Sequence, residues 1–328
     1  MIISKTPLRI SFFGGGTDYP DYFKQNGGAV LSTSIDKYVY ITVNKLSSIS
    51  EHKYKITYSK LEQCDNLVEI VHPSVRECLR HLEIHEGIEV HTISDLPAKT
   101  GLGSSSSFTV GLLNALHAYN FRTVSALKLA EEAIFVEQKL IGEKVGVQDQ
   151  CAAAVGGLNY YEFKQDGSIT YRPVIISPDR RKEFKSHLML FYTGLQRYAE
   201  DVLKEQIDKT KKGQINNDLS GMRAMVDQGY EILTGQGPMI EFGKLLHEAW
   251  MSKKKLSSAI SNNHLDDIYN KAKSAGATGG KLLGAGGGGF FLFFVDPQLQ
   301  PAVRKALADL QEINFDFDND GSKIIFVY

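Results

Sequence analysis

Apolar and polar positions alternate in short runs over the first ninety residues, and those runs are rich in β-branched and aromatic side chains. VYITV at 39–43, YKITY at 54–58 and the alternation through 88–93 predict strands, with a short strand before Phe12. A helical period covers 67–85. Helical patterns follow from the glycine–serine loop at 101–107 to about 119, and at 124–140 and 147–154, and Gly156-Gly157 stops the last of them. Strand patterns return at 158–163, 169–176 and 188–192. From 199 to 273 the chain is polar, amphipathic and helical, with breaks near 212–213, 235–238 and 262–263. A glycine loop then enters the apolar run FFLFFV, and a helix at 301–310 and a strand at 323–327 close the chain. Strands grouped with helices, without regular alternation, predict an α+β fold. The change of character places a boundary between a unit of residues 1–185 and one of residues 186–328.

Composition narrows the function. With 328 residues, 42% hydrophobic and 23% charged, the chain can bury a full core, so disordered and fibrous classes are excluded. Thirty-seven basic against 38 acidic residues leave a net charge of -1, which predicts no nucleic-acid partner. An anionic ligand would have to be met by a local field of backbone amides and a few side chains. No apolar stretch reaches ~18 residues, so no membrane span is predicted. The N-terminus lacks an apolar signal core. Cys64, Cys78 and Cys151 have no paired spacing, so they read as reduced thiols and predict a cytoplasmic protein.

The chain has thirty glycines, many of them clustered in three strings. PAKTGLGSSSS at 97–107 follows a strand and opens an apolar helix. Small residues there let amides approach an anion at the positive end of the helix, and four hydroxyls add further oxygen and donor groups. A Ser-capped tight turn would look similar. A Walker A string is absent from the sequence. Gly284, Gly286 and Gly289 match G-x-G-x-x-G, but the loop precedes a strand rather than a helix, which excludes a dinucleotide fingerprint. The third string, FFGGGTD at 12–18, follows the first strand and sets Thr17 and Asp18 where they could meet substrate hydroxyls.

The candidate chemistry is acidic. Glu137 sits in the apolar stretch AIFVEQKLI, where a carboxylate is costly unless paired or metal-bound; an exposed helix face is the alternative. Asp149 opens a small apolar helix, where it can act on a substrate or simply favour the helix dipole. Arg9 in the first strand either neutralises an acid or phosphate, or guards a sheet edge. His81 and His85 lack a zinc-protease context, and no G-x-S-x-G elbow occurs.

Taken together, PLRISFFGGGTDYP (7–20), PAKTGLGSSSS (97–107) and GGKLLGAGGGGFFLFF (279–294), with EQKLIGEKVGVQDQ (137–150), resemble the ordered motifs of the GHMP kinase superfamily. Within it, GGGTDYP, YTGLQR (192–197) and the long third string are most similar to D-glycero-D-manno-heptose 7-phosphate kinases. The resemblance implies a two-domain fold, with an N-terminal domain like ribosomal protein S5 domain 2 and a ferredoxin-like C-terminal domain. It implies ATP and Mg²⁺ as cofactors, and phosphorylation of a sugar phosphate at its anomeric hydroxyl. Gly101, Leu102, Gly103, Ser104, Ser105 and Ser106 would bind ATP, with Ser105 and Glu137 holding Mg²⁺. Asp149 would be the catalytic base, or would orient the sugar hydroxyl, with Arg9 beside it. Gly15, Gly16, Thr17 and Asp18 would bind the sugar, and Gly286, Gly287 and Gly288 would close over it. Arg197 and Lys281 are the candidates for a second positive pocket, and a homodimer is compatible with this reading.

Overall fold

The structure is a computed structural model that describes residues 1–195 and 199–328. The first layer holds β1 (Ile2–Phe13), β2 (Gly28–Lys45), β3 (Tyr54–Thr57), β4 (Leu61–Cys64), β5 (Ile88–Ser94), β6 (Leu158–Phe163) and β7 (Ile169–Pro173). The long β2 organises it. One edge pairs antiparallel with β1. The other edge pairs with β6 over its first half, Gly28 facing Phe163, and with β5 over its second half, Lys45 facing Ile88. Both fit end to end along that one edge because β2 is 18 residues long.

Helices in this half are α1 (Pro20–Asn26), α2 (Pro73–His81), α3 (Ser104–Tyr119), α4 (Ala126–Phe135), α5 (Gln148–Val155) and α6 (Pro178–Ser186). Two expected helices are divided. The run at 67–85 becomes a 3₁₀ turn, Leu67–Glu69, followed by α2, because Pro73 fits only the first turn of a helix. The run at 124–140 becomes α4 and then a π-helical turn, Val136–Ile141, which ends at the left-handed Gly142. Such insertions re-aim side chains and cluster at functional sites.

The second layer contains β8 (Leu188–Tyr192), β9 (Ala277–Leu282), β10 (Phe290–Val295) and β11 (Gln311–Glu312) in the antiparallel order β11-β8-β10-β9. Between β8 and β9 run α7 (Ala199–Lys211), α8 (Asn216–Thr234), α9 (Ile240–Leu256) and α10 (Asn263–Ser274); α11 (Gln300–Ala306) lies between β10 and β11. Numbered within the layer, that order is 4-1-3-2 with a crossover on each side of the central hairpin, the ferredoxin-like arrangement. The glycine-rich β9 is a strand that periodicity did not reveal, since ATGGKL offers little apolar alternation. The chain then returns. β12 (Phe317–Asp318) pairs with β2 and β13 (Lys323–Val327) with β1, so the last strands complete the first sheet rather than the second.

The layers meet through aromatic rings. Phe12 and Phe13 from β1, Phe184 from α6 and Phe294 from β10 surround Phe242 of α9, with ring centroids 4.7–6.2 Å from it. Phe242 is fully buried. Removing a buried phenyl costs the transfer free energy and leaves a cavity. Phe242→Ala should therefore lower stability by about 3–5 kcal/mol in urea unfolding. A loss below about 1 kcal/mol would show that the rings do not bind the layers together.

Candidate active site

Arg9 lies in the half of β1 that is buried on both faces, and it is 4% exposed. It is not an edge guard. On one side it faces Ser34 of β2, and on the other its backbone N–H donates to Leu102 O at 3.0 Å. Its guanidinium grips Asp149 with two bonds, Nε to Oδ1 and Nη2 to Oδ2, both 2.8 Å. Nη1 donates to Gly101 O at 2.6 Å. A fork matched to a carboxylate fixes both position and plane. Asp149 stands in the first turn of α5 with its side chain 27% exposed, so it is clamped from behind and open in front.

The second glycine string forms the floor. Gly103 adopts left-handed φ +76° as the N-cap of α3, a position where a side chain would also crowd Arg9 and Asp149. No side chain caps the helix, so its first amides are free to meet an anion. Leu102 buries its side chain completely and holds the loop to β1. Ser104 Oγ accepts from Lys99 N at 3.3 Å. Ser107 Oγ donates to Pro7 O at 2.8 Å, so the fourth hydroxyl anchors α3 to β1.

One expected pairing needs correction. Ser105 is exposed, and the hydroxyl that reaches Glu137 is that of Ser106, which donates to Oε2 at 3.0 Å. The helix turns 100° per residue, which carries Ser106 and Thr109 to the inner face and Ser105 outward. Glu137 comes from the π-helical turn and is 1% exposed. Gln150 Nε2 also donates to its Oε2. Its Oε1 has no partner. Burial pushes the carboxyl up to about 7, against bonds from Thr109, Gln150 and Ser106 that pull it down. An orphaned, buried carboxylate oxygen beside free helix amides suits a hard cation. Among the described residues no three acidic, His or Cys side chains could enclose a metal by themselves, so the other ligands would be phosphate oxygens and water.

The third string docks on the second through bare backbone. A Cβ on Gly101 would lie 2.4 Å from Leu283 O, and one on Gly284 2.4 Å from Gly101 Cα. Gly286 packs on Ile260, Gly287 N donates to Ile260 O, and Gly288 packs on Leu195, all inside the second layer. The first string is turned inward. Thr17 is fully buried; its hydroxyl donates to Gly14 O and Ala29 O and accepts from Ala29 N, so the expected contact with a sugar hydroxyl is replaced by a loop-holding role. Asp18 is 1% exposed and accepts from the amides of Gly16 and Gln148, which ties this loop to the start of α5. Burial raises its carboxyl above the ordinary range. Gly15 and Gly16 lie against Gln148 and Gln206. Lys281 is buried and donates to Phe12 O at 2.9 Å; burial lowers it well below the usual lysine range. It joins β9 to β1 rather than facing a solvent pocket. Arg197 lies outside the described residues.

Lys253 escaped the sequence reading. It stands in the last turn of α9, 7% exposed, and donates to Leu282 O and Gly284 O. The signal was there: Leu246, Ala249, Trp250, Lys253 and Leu256 share one helical face, and four of the five are apolar.

Family comparison agrees with this assembly. Residues 67–157 match the family model of the GHMP kinases N terminal domain, and residues 232–312 match that of the GHMP kinases C terminal. The chain belongs to the GHMP kinases. It is 30% identical to D-glycero-alpha-D-manno-heptose 7-phosphate kinase of Campylobacter jejuni subsp. jejuni serotype O:2, over 98% of each chain. It is 26% identical to the L-fucokinase/L-fucose-1-P guanylyltransferase of Bacteroides fragilis, over 94% of this chain and 36% of that protein. The crystal structure of a D-glycero-D-manno-heptose 1-phosphate kinase from Bacteriodes thetaiotaomicron superimposes with a TM-score of 0.82 at 25% identity, covering 100% of both chains. The chain is thus a GHMP sugar kinase, a phosphotransferase with an alcohol acceptor that uses ATP, on the two-domain fold of that family. No described helix is long and apolar enough to cross a membrane.

Two outcomes follow for this GHMP kinase. Asp149→Asn should lower turnover by about 10²-fold or more while nucleotide binding persists. Single-turnover phosphorylation at the wild-type rate would remove Asp149 from the chemistry. Glu137 holds its proton more tightly in the folded protein than in the unfolded chain, so metal-free stability should fall as pH rises from about 4.5 through about 7. Glu137→Gln should lack that slope. The check is the difference in urea midpoint between wild type and variant at pH 5 and pH 8; an equal difference at both would contradict the assignment.

Proposed function

We propose that this kinase transfers the γ-phosphoryl group of ATP to the anomeric C1 hydroxyl of D-glycero-D-manno-heptose 7-phosphate, giving the 1,7-bisphosphate. The observation that carries the reading is the Arg9-clamped, half-open Asp149 carboxylate beside the uncapped start of α3. The whole-length similarity to the Campylobacter jejuni heptose 7-phosphate kinase supports the choice of sugar. The α3 amides and the Gly101–Ser106 loop hold the phosphate tail. Glu137, with Ser106 behind it, would hold Mg²⁺ through the free Oε1. Bound there, Mg²⁺ would neutralise charge on the phosphate oxygens.

Asp149 orients the acceptor hydroxyl and takes its proton as the oxygen attacks the γ-phosphorus. The bond from that phosphorus to the bridging oxygen breaks, and ADP leaves. Arg9 holds the carboxylate plane throughout, so little reorganisation accompanies the step. ADP release should be screened across heptose 7-phosphate, mannose, fucose and galactose, with the new phosphate placed by phosphorus NMR. The reading requires kcat/KM for heptose 7-phosphate to exceed the others by about 10²-fold or more and the phosphate to sit on C1; one good substrate-to-site contact set gives discrimination of that order. A preference for fucose or galactose would replace it with a related sugar kinase.

A further inference from the structure

The interior around Asp149 holds three buried cations, Arg9, Lys253 and Lys281, against two carboxylates, Asp18 and Asp149. Arg9 is paired with Asp149, and Lys281 donates to Phe12 O. Among the described residues no carboxylate forms an ion pair with Lys253, and its hydrogen bonds go to two carbonyls, Leu282 O and Gly284 O, at the start of the third glycine string. A buried ammonium that hydrogen-bonds two carbonyls, with Asp18 and Asp149 acting on it only through space, ties its cost of burial to the place where those carbonyls sit. Gly284 lies directly on Gly101, and Gly101 O accepts from Arg9 Nη1, which shares its guanidinium with Asp149. The contacts therefore run without a break from Lys253 through Gly284, Gly101 and Arg9 to the carboxylate.

We propose that Lys253 is a positioning residue that pins the third glycine string onto the phosphate loop and lends its charge to the nucleotide tail bound there. This rests on the family reaction, not on the identity of the sugar. The groups that face the ammonium are Arg9 of β1, Asp18 of the following loop, Asp149 of α5 and Lys281 of β9. Burial, with Arg9 beside it, lowers the amine to about 8.

The experiment compares wild type, Lys253→Met and Lys253→Arg by calorimetric MgATP binding from pH 6 to 9.5, and by ADP release with heptose 7-phosphate. Lys253→Met should keep or raise its melting temperature, because a buried charge is lost, yet bind MgATP about 10–100-fold more weakly at pH 7, the range expected for one charged hydrogen-bonding group. Wild-type affinity should weaken as pH rises through about 8, and that limb should be missing in Lys253→Met. Lys253→Arg should recover part of the affinity. Wild-type-like binding by Lys253→Met, or a wild-type affinity that is flat across pH 8, overturns the proposal. The pH series on wild type decides the matter even if the Met variant does not fold. If heptose 7-phosphate is not turned over, the sugar assignment fails while the binding arm still judges Lys253.

Discussion

The fold is arranged around one ion pair, the buried Arg9 guanidinium on the partly exposed Asp149 carboxylate. A guanidinium and a carboxylate removed from water lose several kcal/mol of hydration each, and only close, fully hydrogen-bonded geometry returns it. Arg9 meets that demand with three bonds, two to Asp149 and one to Gly101 O. Those bonds fix where three distant pieces of chain must lie. β1 has to be an interior strand, because Arg9 must be shielded on both faces. The second glycine string must run along its open edge, because Leu102 O takes the Arg9 amide. The start of α5 must point its first turn at the same spot. Removing Asp149 would leave the Arg9 guanidinium charged, buried and without its carboxylate, so the pair resists change more strongly than its net contribution to stability suggests.

That geometry explains why the glycine strings are glycine. Gly101 and Gly284 touch backbone to backbone, with no room for a Cβ on either. Residues 183 positions apart in sequence, from 101 to 284, are one contact surface in space. The string that resembles a dinucleotide fingerprint is therefore a docking edge of the second layer.

Much of this was legible before folding. Alternation and β-rich runs marked β2, β5 and β6, the apolar run FFLFFV marked β10, and the ordered glycine strings marked the family. What stayed hidden had physical causes. A strand made of ATGGKL carries no pattern, because glycine packs by absence. β1 was underread because a strand covered on both faces does not alternate. The outcome for Ser105 and Ser106 turned on helix phase, which four identical residues in a row cannot reveal. Thr17 and Lys281 were read as ligand-facing because a sequence shows donors and acceptors but not what occupies them.

A chain with net charge -1 must still hold a polyanion, and the structure shows how. It does not spread basic residues over a surface, where salt would screen them. It buries cations at one junction, where each acts through protein rather than water. Glu137, which accepts from Ser106 of α3, is pushed up to about 7 by burial, so near neutral pH it is ionised only in part. The uncapped amides of α3 supply a local positive end that composition does not show, beside the mutually neutralised Arg9 and Asp149 pair.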